Sequence, residues 1–134
     1  MVDDHWPLVG IEHGCVLIAG RLFGPTDDYR DVMLLLDTAA SLTTVRDTVL
    51  AQVGIDLSQP KEHRRVETMG GPVVEGVVTV PRLRILGQEQ APLDVVFTHR
   101  PFPYRVDGVV GLNFLLPYRL CVDFPNRWIE LVSP

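Results

Sequence analysis

One stretch of this chain places an acid where it can do chemistry: Asp37-Thr38-Ala39-Ala40-Ser41. The carboxylate follows the apolar run Val32-Met33-Leu34-Leu35-Leu36, and the residues after it are too small to cover it. An acid held this way can exchange a proton with a bound molecule. It can equally cap its own turn by accepting backbone N–H groups, as Asp often does. Other reactive groups are weaker candidates. Ser41 has no His or Asp partner in a motif, so its hydroxyl is read as bonding loop backbone. His5, His13, His63 and His99 are scattered and show neither a His-Glu-x-x-His pair nor a Cys/His metal spacing. Gly70-Gly71 lacks the Lys and helix start of a phosphate-cradling loop. The residues thus give no reason to expect a metal or a cofactor.

The elements that must position Asp37 are short strands. Cys15–Ala19 and Arg21–Phe23 are apolar and bounded by Gly14, Gly20, Gly24 and Pro25, as a strand or bent strand pair would be. Residues 26–31 are a polar turn. The run 32–36 is apolar at every position, which predicts a strand buried on both faces. Val45, Val49 and Val53 share a helical face, with Leu50 beside them and Gly54 placed to end the helix. Residues 60–65 are a charged surface connection. Residues 66–80 flank Gly70-Gly71-Pro72 with valines, which predicts a hairpin with a mobile tip. Residues 82–86 alternate polar and apolar, as a half-exposed strand does, and 92–97 form another strand. Residues 99–105, with Pro101 and Pro103, are a stiff loop, with the cleft rim as the alternative place for Arg100–Arg105. Pro117 stops a single helical turn at 112–116. The chain ends strand, turn, strand over 120–132, with Trp6 and Trp128 as packing anchors or, for Trp128, a dimer contact.

These elements predict a mainly β fold: about eight strands and one or two short helices, most simply a small closed or partly closed barrel. The 134 residues suit one domain spanning 1–134. The chain is 46% hydrophobic and 22% charged with a net charge of -5, the profile of a globular protein. Without a basic face, neither nucleic acid nor an anionic membrane is an expected partner. No apolar run approaches the roughly 20 residues needed to cross a bilayer. The start Met1-Val2-Asp3-Asp4-His5 is acidic where an export signal is basic. Cys15 and Cys121 suit reduced thiols, so the cytoplasm is the expected compartment.

The segment Leu34-Leu35-Leu36-Asp37-Thr38-Ala39-Ala40-Ser41 resembles the Asp-Thr/Ser-Gly active-site loop of retropepsin-like aspartic proteases. Its surroundings resemble that family in order, over roughly residues 15 to 132. The hairpin at 66–80 is similar to the family's flap, and Val109-Val110-Gly111 with Asn113 and Leu115 is similar to its glycine crossing and short helix. The resemblance implies the family's acid-protease barrel and a pair of Asp carboxylates about 3 Å apart sharing one proton. This chain holds one such loop. Asp107 falls in the crossing scaffold and Asp123 inside a strand. A homodimer is therefore implied, with Asp37 from each subunit at a two-fold axis and a peptide or protein as substrate. Thr38 would bond across the axis, and Ala39, Ala40 and Ser41 would support and floor the cleft. The flap tip, Met69, Gly70, Gly71, Pro72 and Val73, would close over substrate and bond its backbone.

Two positions depart from the pattern. Ala39 stands where the family has Gly, and would cost on the order of 1 kcal/mol if that position needs positive φ. Leu42 stands where retroviral members carry an acid. The alternative function is a retropepsin-like domain that binds peptides or dimerises without cleaving.

Overall fold

Val32 and Leu34 are buried, while Met33 and Leu35, which alternate with them, are only half-buried. The apolar run before Asp37 is therefore a strand with one face fully in the core and the other partly covered, not buried on both. The computed structural model describes residues 5–134. Its chain begins with β1 (His5–Pro7), a 3-10 turn at Ile11–His13, β2 (Leu17–Phe23), β3 (Tyr29–Leu36) and β4 (Thr43–Arg46). Helix α1 (Asp47–Gln52) precedes β5 (Glu62–Thr68), β6 (Gly71–Val80), β7 (Arg82–Ile85) and β8 (Gln88–Gln90). Then come β9 (Leu93–Thr98), a 3-10 turn at Pro103–Arg105, β10 (Gly108–Val110), α2 (Leu112–Leu115), β11 (Arg119–Asp123) and β12 (Trp128–Val132).

The main sheet has nine strands in the order β5-β6-β9-β4-β10-β3-β2-β7-β8, and a second has three, β1-β12-β11. Within the main sheet β10 runs parallel to β3, and β4 parallel to β9. The fold is mainly β, as the sequence predicts. A closed barrel is not found: among the described residues no ladder joins β5 to β8, so the sheet keeps two open ends. The core is one cluster of aliphatic side chains around Phe114, including Ile18, Leu22, Leu34, Leu50 and Leu131, each 1% exposed or less. Each such side chain contributes about 1.5–3 kcal/mol by leaving water. Among the described residues no helix is long and apolar enough to cross a membrane.

Several boundaries differ from expectation, for physical reasons. The helix starts at Asp47, not Val45, because the β-branched run Thr43-Thr44-Val45 pairs with both β9 and β10. Val49, Leu50 and Val53 are its buried face, and Gly54 ends it at φ 86°. The polar turn closes by Asp28, and Tyr29–Asp31 join β3. Glu62–Arg65 belong to β5 and not to a connection. They lie at a sheet edge, where charged side chains are compatible with pairing on one side only. Trp6 is half-exposed, and Trp128 stacks on His5 with ring centroids 4.9 Å apart.

Candidate active site

Strand β3 delivers Asp37 to the end of the parallel ladder with β10, where Leu36 sits opposite Val110. The Asp37 N–H donates to Val110 O at 3.1 Å, and the chain then turns so that Ala40 N–H donates to Asp37 O at 3.2 Å. Within this turn Ala39 N–H donates to Asp37 Oδ1 at 2.9 Å. The turn-capping reading of the acid is the one this geometry shows. One carboxylate oxygen caps the turn, while Oδ2 takes no hydrogen bond from any described residue.

The turn is held from behind by the crossing segment. Leu112 N–H donates to Ala40 O at 2.8 Å and Asn113 N–H to Ser41 O at 3.2 Å. That approach needs Gly111: a Cβ there would come within 2.7 Å of the Leu42 carbonyl carbon and 2.8 Å of Ala40 O. Gly108 is equally constrained, since a Cβ would overlap Thr44 O. Beneath the turn, Asn113 Oδ1 accepts from Thr43 N–H at 2.8 Å and from the Thr43 hydroxyl at 2.9 Å. Its Nδ2 donates to Asp94 O at 2.7 Å, and the Thr43 hydroxyl oxygen accepts from Gly111 N–H at 3.1 Å. Thr43 is fully buried, and these bonds satisfy its hydroxyl. The Thr79 hydroxyl, followed by the Lys61 ammonium, holds the nearby Asp94 carboxyl below the usual carboxylate range, against some opposing burial.

Opposite the turn stands the hairpin of β5 and β6, paired through Thr68 and Gly71 with Met69-Gly70 as its tip. Between hairpin and turn lies a cleft of about 820 Å³. Asp37, Ala39, Ala40 and Ser41 line its floor, together with Leu42. Residues 64–69 of the hairpin line the facing wall, and Arg100 and Phe102 stand at the rim. Of the sequence-predicted residues, the cleft brings together Asp37, Ala39, Ala40, Ser41 and Met69. Thr38, Gly70, Gly71, Pro72 and Val73 do not line it. Thr38 is exposed and makes no side-chain hydrogen bond among the described residues. Ala39 does not adopt positive φ, so its methyl group brings no backbone strain and points the departure from Gly toward the cleft instead.

The wall residues Arg64–Thr68 were not foreseen as lining. Val66 and Thr68 are half-buried while Arg65 and Glu67 are exposed, a period of two that the sequence carries. Before Val66 the alternation stops, because Glu62, His63, Arg64 and Arg65 are all polar and all exposed, so the start of the strand carries no such signal. Among the described residues no three His, Cys, Asp or Glu side chains gather as metal ligands.

An apolar strand ending in Asp-Thr, a glycine crossing that pins the following turn, and a hairpin over the cleft define the retropepsin-like class of fold. The chain belongs to the aspartyl protease family, whose model matches residues 19–114. Among solved structures it is similar to a retropepsin-like aspartic protease from Rickettsia conorii. That match has a TM-score of 0.69, covering 95% of this chain and 89% of that one at 17% identity. At that identity the likeness is one of fold. No curated protein gives a match.

Proposed function

We propose that the chain is an aspartic endopeptidase that works as a homodimer, each subunit lending Asp37 to one catalytic pair. The observation that carries this reading is the state of the acids. Asp37 sits on the cleft floor with one oxygen that takes no hydrogen bond from any described residue, while Asp107 and Asp123, the other two acids considered for the pair, are engaged. Asp107 accepts from Met33 N–H at 2.9 Å and pairs with Arg30 at 3.1 Å. Asp123 bonds Asn126 through both oxygens, at 3.1 and 2.8 Å. This supports taking the second acid of the pair from a second copy of the chain.

Two such carboxylates in contact cannot both ionise cheaply, so the pair holds one proton and titrates as a unit. The ionised member takes a proton from a water, which attacks the scissile carbonyl. The protonated member donates to the carbonyl oxygen as charge develops there. Neither a metal nor a covalent intermediate is required. The Thr38 hydroxyl, which has no partner among the described residues, is available to bond its counterpart across the axis. Met69 to Val73, at the hairpin tip, would close over the peptide and exclude water. We take residues 1–134 as one domain of this kind. The free half-buried thiols of Cys15 and Cys121 suit the reducing cytoplasm.

The test compares the native chain with Asp37→Asn on an unfolded protein substrate between about pH 4 and 7. Cleavage by the native chain should fall about 10³-fold or more in the variant, the scale of lost acid–base catalysis. One observation favours a second reading, a peptide-binding domain without cleavage: the Ala39 methyl group occupies the cleft floor beside Asp37. Peptide binding by a dimer that shows no Asp37-dependent cleavage would establish that reading instead.

A further inference from the structure

For a chain of net charge -5, the wall of the cleft is rich in guanidinium groups. Arg64 faces Glu75 directly across the hairpin ladder. Opposed residues of an antiparallel pair project to the same face, here the face that also carries Val66, Thr68 and Val73. Glu75 in turn grips Arg100, with Nη2 to Oε1 at 2.6 Å and Nε to Oε2 at 3.3 Å. The Glu75 side chain is only 9% exposed, so this pair is shielded and geometrically fixed. The Arg100 N–H also donates to the Thr98 hydroxyl at 3.0 Å, which anchors the backbone on the other side of the junction.

These bonds leave donors over. Arg100 Nη1 has no acceptor among the described residues. Arg64 uses only Nε, on Glu62 at 3.0 Å, and its Nη1 and Nη2 are without acceptors. The Arg64–Glu62 contact is 49% exposed on both sides, and a pair so exposed is readily exchanged for another anion. Of the three arginines lining the cleft, Arg65 projects from the opposite face of β5, and Arg64 and Arg100 reach a peptide-sized space, also lined by Phe102, with unfilled planar donor edges. Such edges match a carboxylate in geometry as well as charge.

We propose that Arg64 and Arg100 form a carboxylate-binding subsite that selects an acidic side chain in the bound peptide, with Glu75 as the residue that positions Arg100. The proposal rests on the cleft being a peptide site. A polyanion is disfavoured as occupant, because Asp37 and Glu67 line the same cleft.

The test scans a single Glu through a neutral labelled peptide, each peptide paired with its Gln counterpart. Binding is read by fluorescence anisotropy on the Asp37→Asn chain, and cleavage on the native chain. At one position Glu should outbind Gln about tenfold, the change that about 1.4 kcal/mol of charge-assisted bonding gives. Arg64→Gln and Arg100→Gln should each pull that ratio toward one, and added salt should narrow it. Glu75→Gln should weaken the Glu preference while leaving it detectable, since it frees Arg100 without removing its charge. The proposal is overturned if no position favours Glu, if no peptide binds, or if the preference survives both arginine substitutions. Should Arg100→Gln loosen the hairpin, the exposed Arg64→Gln decides alone. A Glu preference in binding with no cleavage by the native chain would sink the protease reading and leave the subsite standing.

Discussion

The two sides of the cleft are built in opposite ways. The turn that bears Asp37 is tied by backbone bonds to Val110, Leu112 and Asn113, and two glycines behind it have no room for a methyl group. The hairpin tip has little to hold it. The Met69 side chain is fully exposed, and a Cβ on Gly71 would meet nothing within 4 Å. Only lower down, at Gly76 packed on the Phe97 ring and at the Glu75–Arg100 pair, does the hairpin gain fixed neighbours. A proton-transfer site needs fixed distances, whereas a cover must open and close. The difference in packing is the one that the proposed function asks of the two sides.

The contrast can be broken from either side. Gly108→Ala should have the largest effect on folding. Its methyl group must displace the Thr44 carbonyl in a ladder closed on both sides, costing about 3 kcal/mol or more in denaturant unfolding. A variant as stable as the native chain would show that the crossing is looser than described. Asn113→Ala comes next. It removes three hydrogen bonds beneath the turn and leaves the buried Thr43 N–H without its acceptor, for a loss of about 2–3 kcal/mol. The smallest effect on stability is expected at the tip. Met69→Ala should stay within about 0.5 kcal/mol of the native chain in a thermal melt, as exposed sites do. Its consequence should appear in KM for a peptide. A large drop in stability would mean that the tip is packed after all.

Much of the rigid side was legible in the sequence. An all-apolar strand followed by Asp and small residues, and a Gly after paired valines, are local signals, and they mark the turn and the crossing correctly. What escaped depends on distant pairing. β1 is three residues containing a Pro, and it becomes a strand only by pairing with β12, more than a hundred residues away. β8 is short and polar. Its one local signal was the Leu86-Gly87 pair, both at positive φ, which makes the tight two-residue turn out of β7. The charged start of β5 looked like surface because it is surface, yet it also pairs along one edge. Sheet closure could not be read from periodicity at all, because alternation says which face is buried and not whether the ends meet.

The bonds that fix the Asp37 turn run through main-chain atoms of Ala40 and Ser41, and come from residues 110–113. None of them uses a side chain of residues 38–41. Within one subunit the side chains of Ala39, Ala40 and Ser41 can therefore vary without shifting the acid, so long as each residue keeps its amide and fits the cleft. The scaffold separates the placing of the carboxylate from the texture of the cleft surface around it.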